Sequence, residues 1–437
     1  MNLKKRENVK ALYYPYKAMK KVIYGLIDCG HYICSLYYIK KNKKLVKKKI
    51  DGKEVLNVIF IIQYIPGWNK LEPIYWKMKK SKNFNPVILC VPLNIQNHKL
   101  IEKNKNDTYD YFCEHGYEAI NAMKDDASWV DLKTFNPDYV FHSRPYNSFM
   151  PECYTSGRIV KYALICNVLY GASVTTDMRT VTVNKNYFRD VYCYFAVDNG
   201  EREFFKRRFW LGFLFRITKC FPFGAIGLEQ MLNAKSEKRY DDFRKTIIWA
   251  PRWSTDSRVG GSNFFNYKDI ILNFAKENQD VMFIIRPHPL MFDNFVKTGE
   301  MTKNEVREFK QYCESERNII LDEDKEYTET FWASDLLISD VSSIVPEYFV
   351  TEKPVIYCHS SINFNYEDYA EKMIHSCYEV YNIEELKQYI CEFLNGIDNK
   401  LCKRRNYLNS YWGNVQENSS NILQILEGNL PKYRKGK

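Results

Sequence analysis

Arginine, histidine and serine residues stand at the ends of predicted strands in the second half of this 437-residue chain. "APRWS" contains Arg252, "RPHP" contains Arg286 and His288, and "SDVSS" ends with Ser342 and Ser343. An arginine side chain carries a fixed positive charge in a forked geometry that matches phosphate. Serine hydroxyls and the free N–H groups at the start of a helix also favour anions. Together these residue types predict a phosphate or nucleotide site.

Two acidic residues accompany the serine pair. Asp340 follows the strand that precedes the serines, and Glu347 lies one turn into the helix that follows them, on roughly the same face. Pro346 is compatible with the first turn of this helix, where its missing N–H has no helical partner. We expect Asp340 to belong to the donor-binding site, and the Glu347 carboxylate to accept hydrogen bonds from ribose hydroxyls.

Each of these residues alone also has an ordinary structural explanation. Ser342 or Ser343 would serve as a helix cap, His288 as a polar loop residue and Arg252 as a surface charge. Their occurrence at successive strand ends of one predicted sheet favours the binding site.

Other familiar binding motifs do not occur in the sequence. No G-x-G-x-x-G follows a strand, and no Walker sequence, H-E-x-x-H or clustered metal-ligand spacing is found. The 13 cysteines are odd in number and lack C-x-x-C spacing, which favours reduced thiols in a cytoplasmic protein. We therefore predict no metal and no cofactor, only a nucleotide-type donor substrate.

The apolar pattern that must position these residues alternates between strands and helices. In the second half, five strands are predicted by "TIIWAP", "DVMFIIRPHP", "NIILDED", "DLLISD" and "KPVIYC". In the first half, "VLNVIFIIQYI", "NPVILCVPL", "NPDYVFHSRPY" and "RIVKYALICNV" continue the pattern. Such alternation indicates parallel sheets covered by helices, whose ligands bind beyond the carboxyl ends of the strands. The sequence predicts an α/β fold with two doubly wound, Rossmann-like domains, 51–235 and 236–437, that face a cleft.

The first fifty residues account for the net positive charge of the chain. Residues 1–50 contain 14 Lys and Arg and only two acidic residues, whereas the whole chain has a formal charge of +11. Between the basic clusters, the stretch 22–38 is too short and too polar to predict a transmembrane helix. The pattern favours a basic amphipathic helix on an anionic membrane surface. A helix packed on the domain is the alternative, and nucleic-acid binding is the least favoured reading.

A second segment also combines basic and large apolar residues. "FFKRRFWLGFLFRITKCF" (204–221) contains five Lys and Arg among many aromatic and aliphatic residues. It predicts either a second membrane-contacting segment or a helix buried between the domains.

The strand-end motifs resemble a known family. "IIWAPRW", "RPHP" and "LLISDVSSIVPEYFVTEKPVIYC" stand in the order found in the C-terminal domain of CDP-glycerol glycerophosphotransferases. These are teichoic acid primases and polymerases, with relatives in capsule synthesis. The resemblance covers 245–430 well and 55–200 only loosely. It implies a GT-B fold in which the C-terminal domain binds a CDP-polyol donor and the N-terminal domain an acceptor.

The resemblance also implies roles for individual residues. Arg286 and His288 would contact donor phosphate, with His288 as a catalytic residue. Ser342 and Ser343 would bind the pyrophosphate, and Glu347 would face the ribose.

One motif of the family is missing from this chain. The polymerases have a Trp-His-Gly motif whose His is the proposed base, whereas the comparable stretch here is "LICNVLYGAS" and contains no His. Tyr170 and Gly171 occupy part of that place. His142 ends a strand of the N-terminal domain and is expected to face the cleft, so it is our substitute candidate; a structural His142, or Glu152 as the base, are the alternatives.

The sequence therefore predicts an enzyme that transfers a polyol phosphate, with glycerol phosphate as the favoured group. The donor would be a CDP-polyol and the acceptor lipid-linked or glycan, in synthesis of a teichoic-acid-like or capsule polymer. The protein would be cytoplasmic and peripheral on the inner face of the plasma membrane, with no nucleic-acid partner. The alternatives are a GT-B glycosyltransferase using CMP-sialic acid or a UDP-sugar, and a membrane-tethered nucleotide-binding module without catalysis.

Overall fold

A seven-stranded parallel sheet forms the N-terminal half of the protein. The computed structural model describes residues 3–93, 106–234, 240–256, 260–324, 326–412 and 415–429. The strands of this first sheet are β1 (Leu56–Ile62), β2 (Phe84–Cys90), β3 (Ala119–Asn121), β4 (Tyr139–His142), β5 (Leu164–Val168), β6 (Val191–Phe195) and β7 (Lys219–Phe221). Their order in the sheet is β3-β2-β1-β4-β5-β6-β7.

A six-stranded parallel sheet forms the C-terminal half. Its strands are β8 (Lys245–Ala250), β9 (Val281–Ile285), β10 (Ile319–Leu321), β11 (Leu336–Ser339), β12 (Val355–Cys358) and β13 (Tyr378–Val380). Their order is β10-β9-β8-β11-β12-β13. The five predicted strands are all present, and β13 is a sixth that the sequence pattern did not predict, because Glu379 interrupts its short apolar run.

Helices cover both sheets. Among the described residues, those of the N-terminal half are α1 (Leu3–Asp51), α2 (Glu72–Lys80), α3 (Asp107–Glu114), α4 (Ser156–Ile159), α5 (Thr176–Thr182), α6 (Lys185–Phe188), α7 (Asn199–Arg208), α8 (Trp210–Leu214) and α9 (Ile226–Asn233). Those of the C-terminal half are α10 (Phe264–Glu277), α11 (Met291–Thr298), α12 (Lys303–Ser315), α13 (Thr328–Ala333), α14 (Ile344–Phe349), α15 (Asp368–Ile374), α16 (Ile383–Leu394), α17 (Leu401–Tyr411) and α18 (Asn418–Leu426). Short 3-10 helices lie at Ile65–Lys70, Leu132–Phe135, Asn147–Phe149, Glu152–Tyr154 and Val415–Glu417.

Burial on both faces explains why the strands read as continuous apolar runs. All five residues of β9 are buried, and in β1 every residue except Asn57 is buried. A parallel sheet needs such strands because its crossover helices exclude water from both faces. The predicted α/β class with two parallel sheets is thereby confirmed.

The last helix does not stay with the C-terminal sheet. In α18, Ile422, Ile425 and Leu426 are buried in the core of the N-terminal half, and the Tyr139 hydroxyl donates to the Leu426 carbonyl at 2.9 Å. Helix α18 therefore connects the two halves. The predicted domain division after residue 235 stays a prediction.

Helix α1 has one packed face and one exposed face. On the packed face, Leu36, Ile39 and Val46 are buried, and the Asn42 side chain donates to the Val160 carbonyl at 2.8 Å. On the opposite face, apolar side chains are 48–69% exposed: Val22, Leu26, Ile27, Ile33, Tyr37 and Leu45. The helix thus packs on the domain, as one reading of the sequence expected, and keeps a free apolar surface. Within the described ranges, no helix has an apolar stretch sufficient to cross a bilayer.

The segment 204–221 is not one helix buried between the domains, and that reading was wrong. It divides into the end of α7, the short α8 and strand β7. Phe205 and Phe209 pack into the N-terminal core, while Trp210, Leu214 and Phe215 are 57–63% exposed. Helix α8 lies against α1. The hydroxyl of Tyr32, on α1, donates to the carbonyl of Phe209, which directly precedes α8, at 2.8 Å.

The packed face of α1 predicts a difference between two isoleucines of the same helix. Ile39→Ala should lower the free energy of unfolding by about 2–5 kcal/mol, because it leaves a cavity in a closed core. Ile33→Ala, at a position 57% exposed, should change it little. Urea unfolding followed by tryptophan fluorescence measures both, and equal losses would contradict the packing of α1.

Candidate functional site

The strand order of the second sheet reverses between β8 and β11. At such a switch point the loops after the two strands lead to opposite sides, and the crevice between them is where ligands bind in α/β sheets. Arg252 follows β8, and Ser342 and Ser343 follow β11. The Arg252 side chain donates to the Val341 carbonyl at 2.6 Å, so the two loops are in contact. The structure therefore brings these sequence-predicted residues to one crevice.

Asp340 anchors this crevice from beneath. It is 2% exposed and accepts hydrogen bonds from the Arg252 N–H at 3.0 Å and from the Asn263 amide side chain at 2.8 Å. Burial raises the pKa of Asp340 to about 6, while these hydrogen bonds lower it. This geometry does not support the predicted direct contact between Asp340 and the donor. Its carboxylate instead holds the loop after β8 against β11.

Arg286 follows β9 and is already engaged within the C-terminal half. It donates to the Asp322 carboxylate at 2.5 Å and to the Asp324 carbonyl at 2.5 Å. Its guanidinium carbon lies 5.2 Å from the ring centre of Tyr327. These partners fix the orientation of Arg286, so a donor phosphate would have to compete with Asp322 for it.

His288 stands beside the β8 loop. Its backbone N–H donates to the Pro251 carbonyl at 3.2 Å, and its Nδ1 accepts from the Leu290 N–H at 3.1 Å. Burial, and then the positive charge of Arg252, lower the pKa of His288 to about 4. The ring is therefore neutral near pH 7 with its proton on Nε2, which makes it a hydrogen-bond donor rather than a base.

Ser342 and Ser343 begin α14 and are partly exposed. The Ser342 hydroxyl lies 3.4 Å from the Ile344 N–H, a long capping contact, and Ser343 makes no side-chain cap. Because α14 has only six residues, its dipole adds less than the sequence argument assumed. The two hydroxyls are therefore not committed to strong capping hydrogen bonds.

Glu347 is held by the other half of the molecule, which the sequence argument did not foresee. Its carboxylate forms a salt bridge with Lys70 at 2.7 Å, and both side chains are at most 7% exposed. The Tyr327 hydroxyl donates to the same carboxylate and accepts from Lys70 at 3.0 Å. The prediction that Glu347 faces an open ribose position is therefore wrong for this structure.

Lys70 reaches Glu347 by passing over a glycine. Lys70 is the last residue of the 3-10 helix Ile65–Lys70. Its side chain runs close to α9, where a β-carbon added to Gly227 would lie only 2.4 Å from the Lys70 Nζ. Beside it, Asn69 and Tyr111 both donate to Glu326, the latter at 2.7 Å. This cluster joins the N-terminal half to the loop before α13. Sequence reasoning missed this cluster because no motif marks Lys70.

His142 does not face the cleft, so that prediction was wrong. It is 1% exposed, its Nε2 lies 2.9 Å from the Tyr154 carbonyl, and its Nδ1 lies 3.0 Å from the Tyr187 hydroxyl. Burial lowers its pKa to about 4. Both ring nitrogens are occupied, which agrees with the alternative of a structural histidine. Glu152 is on the surface and pairs with Arg158.

The stretch compared above with the Trp-His-Gly motif, which contains Tyr170 and Gly171, reaches the crevice. A β-carbon on Gly171 would lie 3.3 Å from Ser343, so this loop abuts the serine pair. The Tyr170 hydroxyl lies 3.2 Å from that of Tyr146, and burial raises the pKa of Tyr170. Tyr170 is therefore protonated near neutral pH and does not replace the histidine as a base.

The described residues contain no cluster of three or more His, Cys, Asp or Glu able to hold a metal ion. That the protein works without metal or cofactor stays a prediction.

Comparison with known proteins confirms the resemblance of the C-terminal half. Residues 228–381, about a third of the chain, match the family model described as CDP-Glycerol:Poly(glycerophosphate) glycerophosphotransferase. The predicted family resemblance and the transferase class are thereby confirmed. No match to a curated protein sequence is found.

Solved structures confirm the GT-B fold. The wall teichoic acid polymerase TagF, in a crystal soaked with CDPG, superposes with a TM-score of 0.51 at 13% identity, over 91% of this chain and 97% of that one. UDP-GlcNAc 2-epimerase from Neisseria meningitidis bound to UDP-GlcNAc gives 0.54 at 14% identity, over 86% and 100%. The S. aureus MnaA–UDP structure gives 0.53 at 13% identity, over 86% and 96%. At these identities the likeness concerns the fold alone.

The Lys70–Glu347 pair predicts strong coupling between two residues in different halves. Lys70→Met or Glu347→Gln alone should lower the free energy of unfolding by about 3–5 kcal/mol, because each leaves a buried polar group unpaired. The double variant should lose clearly less than the sum of the two. Chemical denaturation of the four proteins measures the coupling.

The exposed pair Lys79–Glu118, at 35% and 85% side-chain exposure, is the matched control. Lys79→Met should change stability little, because solvent screens such pairs. Additive losses for Lys70 and Glu347 would show that they do not interact.

Proposed function

We propose that the protein transfers a polyol phosphate, with glycerol phosphate as the favoured group, from a CDP-polyol to an acceptor hydroxyl. The acceptor would be lipid-linked or glycan, and the product a teichoic-acid-like or capsule polymer. One observation carries the proposal: the family match spans Arg252, His288, Ser342 and Ser343, which lie around the crevice at the switch point of the second sheet. The loop of Gly171, from the N-terminal half, forms the facing wall.

The proposed reaction is a displacement at phosphorus. An acceptor hydroxyl oxygen attacks the β-phosphorus of the CDP-polyol, and the bond from that phosphorus to the bridging oxygen breaks. CMP leaves with the electron pair of the broken bond, and the hydroxyl proton passes to a base. Negative charge spreads over the transferring group and the departing CMP, so fixed donors and cations around the phosphates supply most of the catalysis.

The residues of the crevice would divide this work. The Nε2–H of neutral His288 would donate to a phosphoryl oxygen, and the hydroxyls of Ser342 and Ser343 would hold the pyrophosphate. The guanidinium of Arg252, kept in place by Val341, would offset its charge. Since the pKa of His288 is about 4, we expect its contribution to stay constant between about pH 6 and 8.

His288→Ala tests the donor site. It should lower CMP release from CDP-glycerol by roughly 10²–10³-fold, as for other single donors to a developing charge. His375→Ala is the matched control, because His375 lies on the same half with its side chain 65% exposed. Near wild-type turnover by His288→Ala would contradict the assignment.

A panel of donors separates the proposed function from its alternatives. CDP-glycerol and CDP-ribitol should release CMP, whereas release from CMP-sialic acid or turnover of a UDP-sugar would support a glycosyltransferase instead. Binding of a donor without any turnover would support a module that has lost catalysis.

We propose in addition that the protein sits on an anionic membrane. The outer apolar face, comprising Val22, Leu26, Ile33 and Tyr37 of α1 with Trp210, Leu214 and Phe215 at α8, presents large apolar side chains to solvent. Exposed basic residues border it: Lys40, Lys41, Lys44, Lys47, Lys48, Arg207 and Arg216. Apolar side chains ringed by cations match the interface of a negatively charged bilayer. This would place the enzyme at the inner face of the plasma membrane, beside a lipid-linked acceptor.

Sedimentation with lipid vesicles tests this surface. The protein should bind phosphatidylglycerol vesicles strongly and phosphatidylcholine vesicles far more weakly. Added salt should dissociate it from the anionic vesicles, because salt screens the charges. The double variant Ile33→Ser, Trp210→Ser should bind at least about tenfold more weakly, because it removes two side chains that would enter the bilayer.

Trp76→Ser is the control, since Trp76 is 42% exposed on α2, outside this face. Equal binding by all three proteins would exclude the outer apolar face as the contact.

A further inference from the structure

A second crevice lies at the switch point of the first sheet. There the strand order reverses between β1 and β4, and the residues that follow are Gln63 and Tyr64 after β1 and Ser143 and Arg144 after β4. The Ser143 hydroxyl accepts from the backbone N–H groups of Gln63 and Tyr64, at 3.1 and 3.2 Å. The two strand ends are therefore tied together at the point where an α/β sheet binds its ligand.

Arg144 is fixed in this crevice by a buried amide. Its Nη2 and Nε donate to the Gln63 side-chain oxygen at 2.8 and 3.2 Å. Gln63 is 1% exposed, and its own amide nitrogen donates to the Pro92 carbonyl at 3.1 Å. The guanidinium carbon lies 4.2 Å from the ring centre of Phe149. Gln63 thus positions Arg144 without neutralising its charge.

The charge of Arg144 has no carboxylate partner in the part of the chain that the structure describes. Three other basic side chains at contacts between the halves or in the cleft, Lys70, Arg179 and Arg286, each have one. Burial lowers the pKa of Arg144, and a largely buried cation without a counter-charge is unfavourable unless an anion joins it. Arginine is also the side chain best suited to phosphate.

Three tyrosines continue from Arg144 toward the donor crevice. The ring of Tyr64 lies 5.7 Å from the Arg144 guanidinium and 5.7 Å from the ring of Tyr170. The Tyr170 hydroxyl meets that of Tyr146, and the next residue, Gly171, abuts Ser343. Phenol hydroxyls can donate to phosphate and polyol oxygens. A ligand anchored at Arg144 would therefore extend along these rings to the serine pair.

We propose that Arg144, positioned by Gln63, binds an anionic group of the acceptor next to its reacting hydroxyl and so sets acceptor specificity. The proposal rests on the proposed function, because it assigns the acceptor side of the same cleft. The ligand chemistry is a phosphate ester that carries a free hydroxyl. A neutral polyol would leave the Arg144 charge uncompensated.

Paired acceptors test this inference with glycerol phosphate and glycerol as probes. The wild-type enzyme, given CDP-glycerol, should prefer glycerol phosphate in kcat/KM, and Arg144→Ala should reduce that preference roughly 10- to 100-fold, the effect of one lost charged hydrogen bond. The loss should appear mainly in the KM for glycerol phosphate. Arg144→Lys should recover part of it, because charge returns without the forked geometry.

Two further proteins keep the test specific. Arg158→Ala removes a surface arginine of the same half that pairs with Glu152, and it should leave the preference unchanged. Gln63→Leu should lower the preference while CDP-glycerol affinity, measured by calorimetry, stays at the wild-type value in all variants. An unchanged preference in Arg144→Ala, or equal loss for both acceptors, would overturn the inference.

Failure of the proposed function would be visible separately. If no CMP is released from CDP-glycerol by the wild-type protein, calorimetric binding of glycerol phosphate without donor still tests Arg144. Binding that Arg144→Ala weakens would support the anion site, and absence of binding to the wild-type protein would overturn it.

Discussion

The buried salt bridge between Lys70 and Glu347 is the constraint on which the rest of the cleft depends. It joins a loop of the first sheet to a helix of the second, with both side chains at most 7% exposed. Two charges removed from water are stable only when each keeps its partner, so the pair permits a narrow range of orientations between the halves. Tyr327, which bonds to both charges, also lies against Arg286. The joint between the halves and the donor crevice therefore share side chains.

A second set of contacts also joins the two halves. Arg179 of α5 pairs with Glu367 of the C-terminal half, and the backbone N–H of Thr176 donates to the Asn365 carbonyl at 2.9 Å. The loop of Tyr170 and Gly171 comes shortly before α5 in the chain and meets Ser343. The approach of the two halves at this loop is thus supported by salt bridges and hydrogen bonds between residues distant in sequence. Tyr170 lies at this meeting point, with its hydroxyl 3.2 Å from that of Tyr146.

The two crevices have different electrostatic characters. In the C-terminal half, Asp340 and Asp322 hold the β8 loop and Arg286 in place, so this crevice is built from paired charges and hydroxyls. In the N-terminal half, Arg144 is held by a neutral amide and aromatic rings. The first arrangement fixes the positions of these loops. The second leaves a positive charge for an incoming anion.

The sequence by itself determined most of the strands and placed the candidate residues at the switch point of the second sheet. Continuous apolar runs such as that of β9 are typical of strands buried on both faces of a parallel sheet. The carboxyl ends of parallel strands meet at one edge of the sheet. Arg252, His288 and the serine pair could therefore be grouped from their positions alone. Short strands such as β13, and the return of α18 to the first half, lacked a local signal. Only the tertiary structure decided that Asp340 and Glu347 turn inward, that His142 is buried and that Arg144 stands without a carboxylate among the described residues. Each of these outcomes depends on partners distant in sequence, because burial and charge pairing arise only when the elements pack.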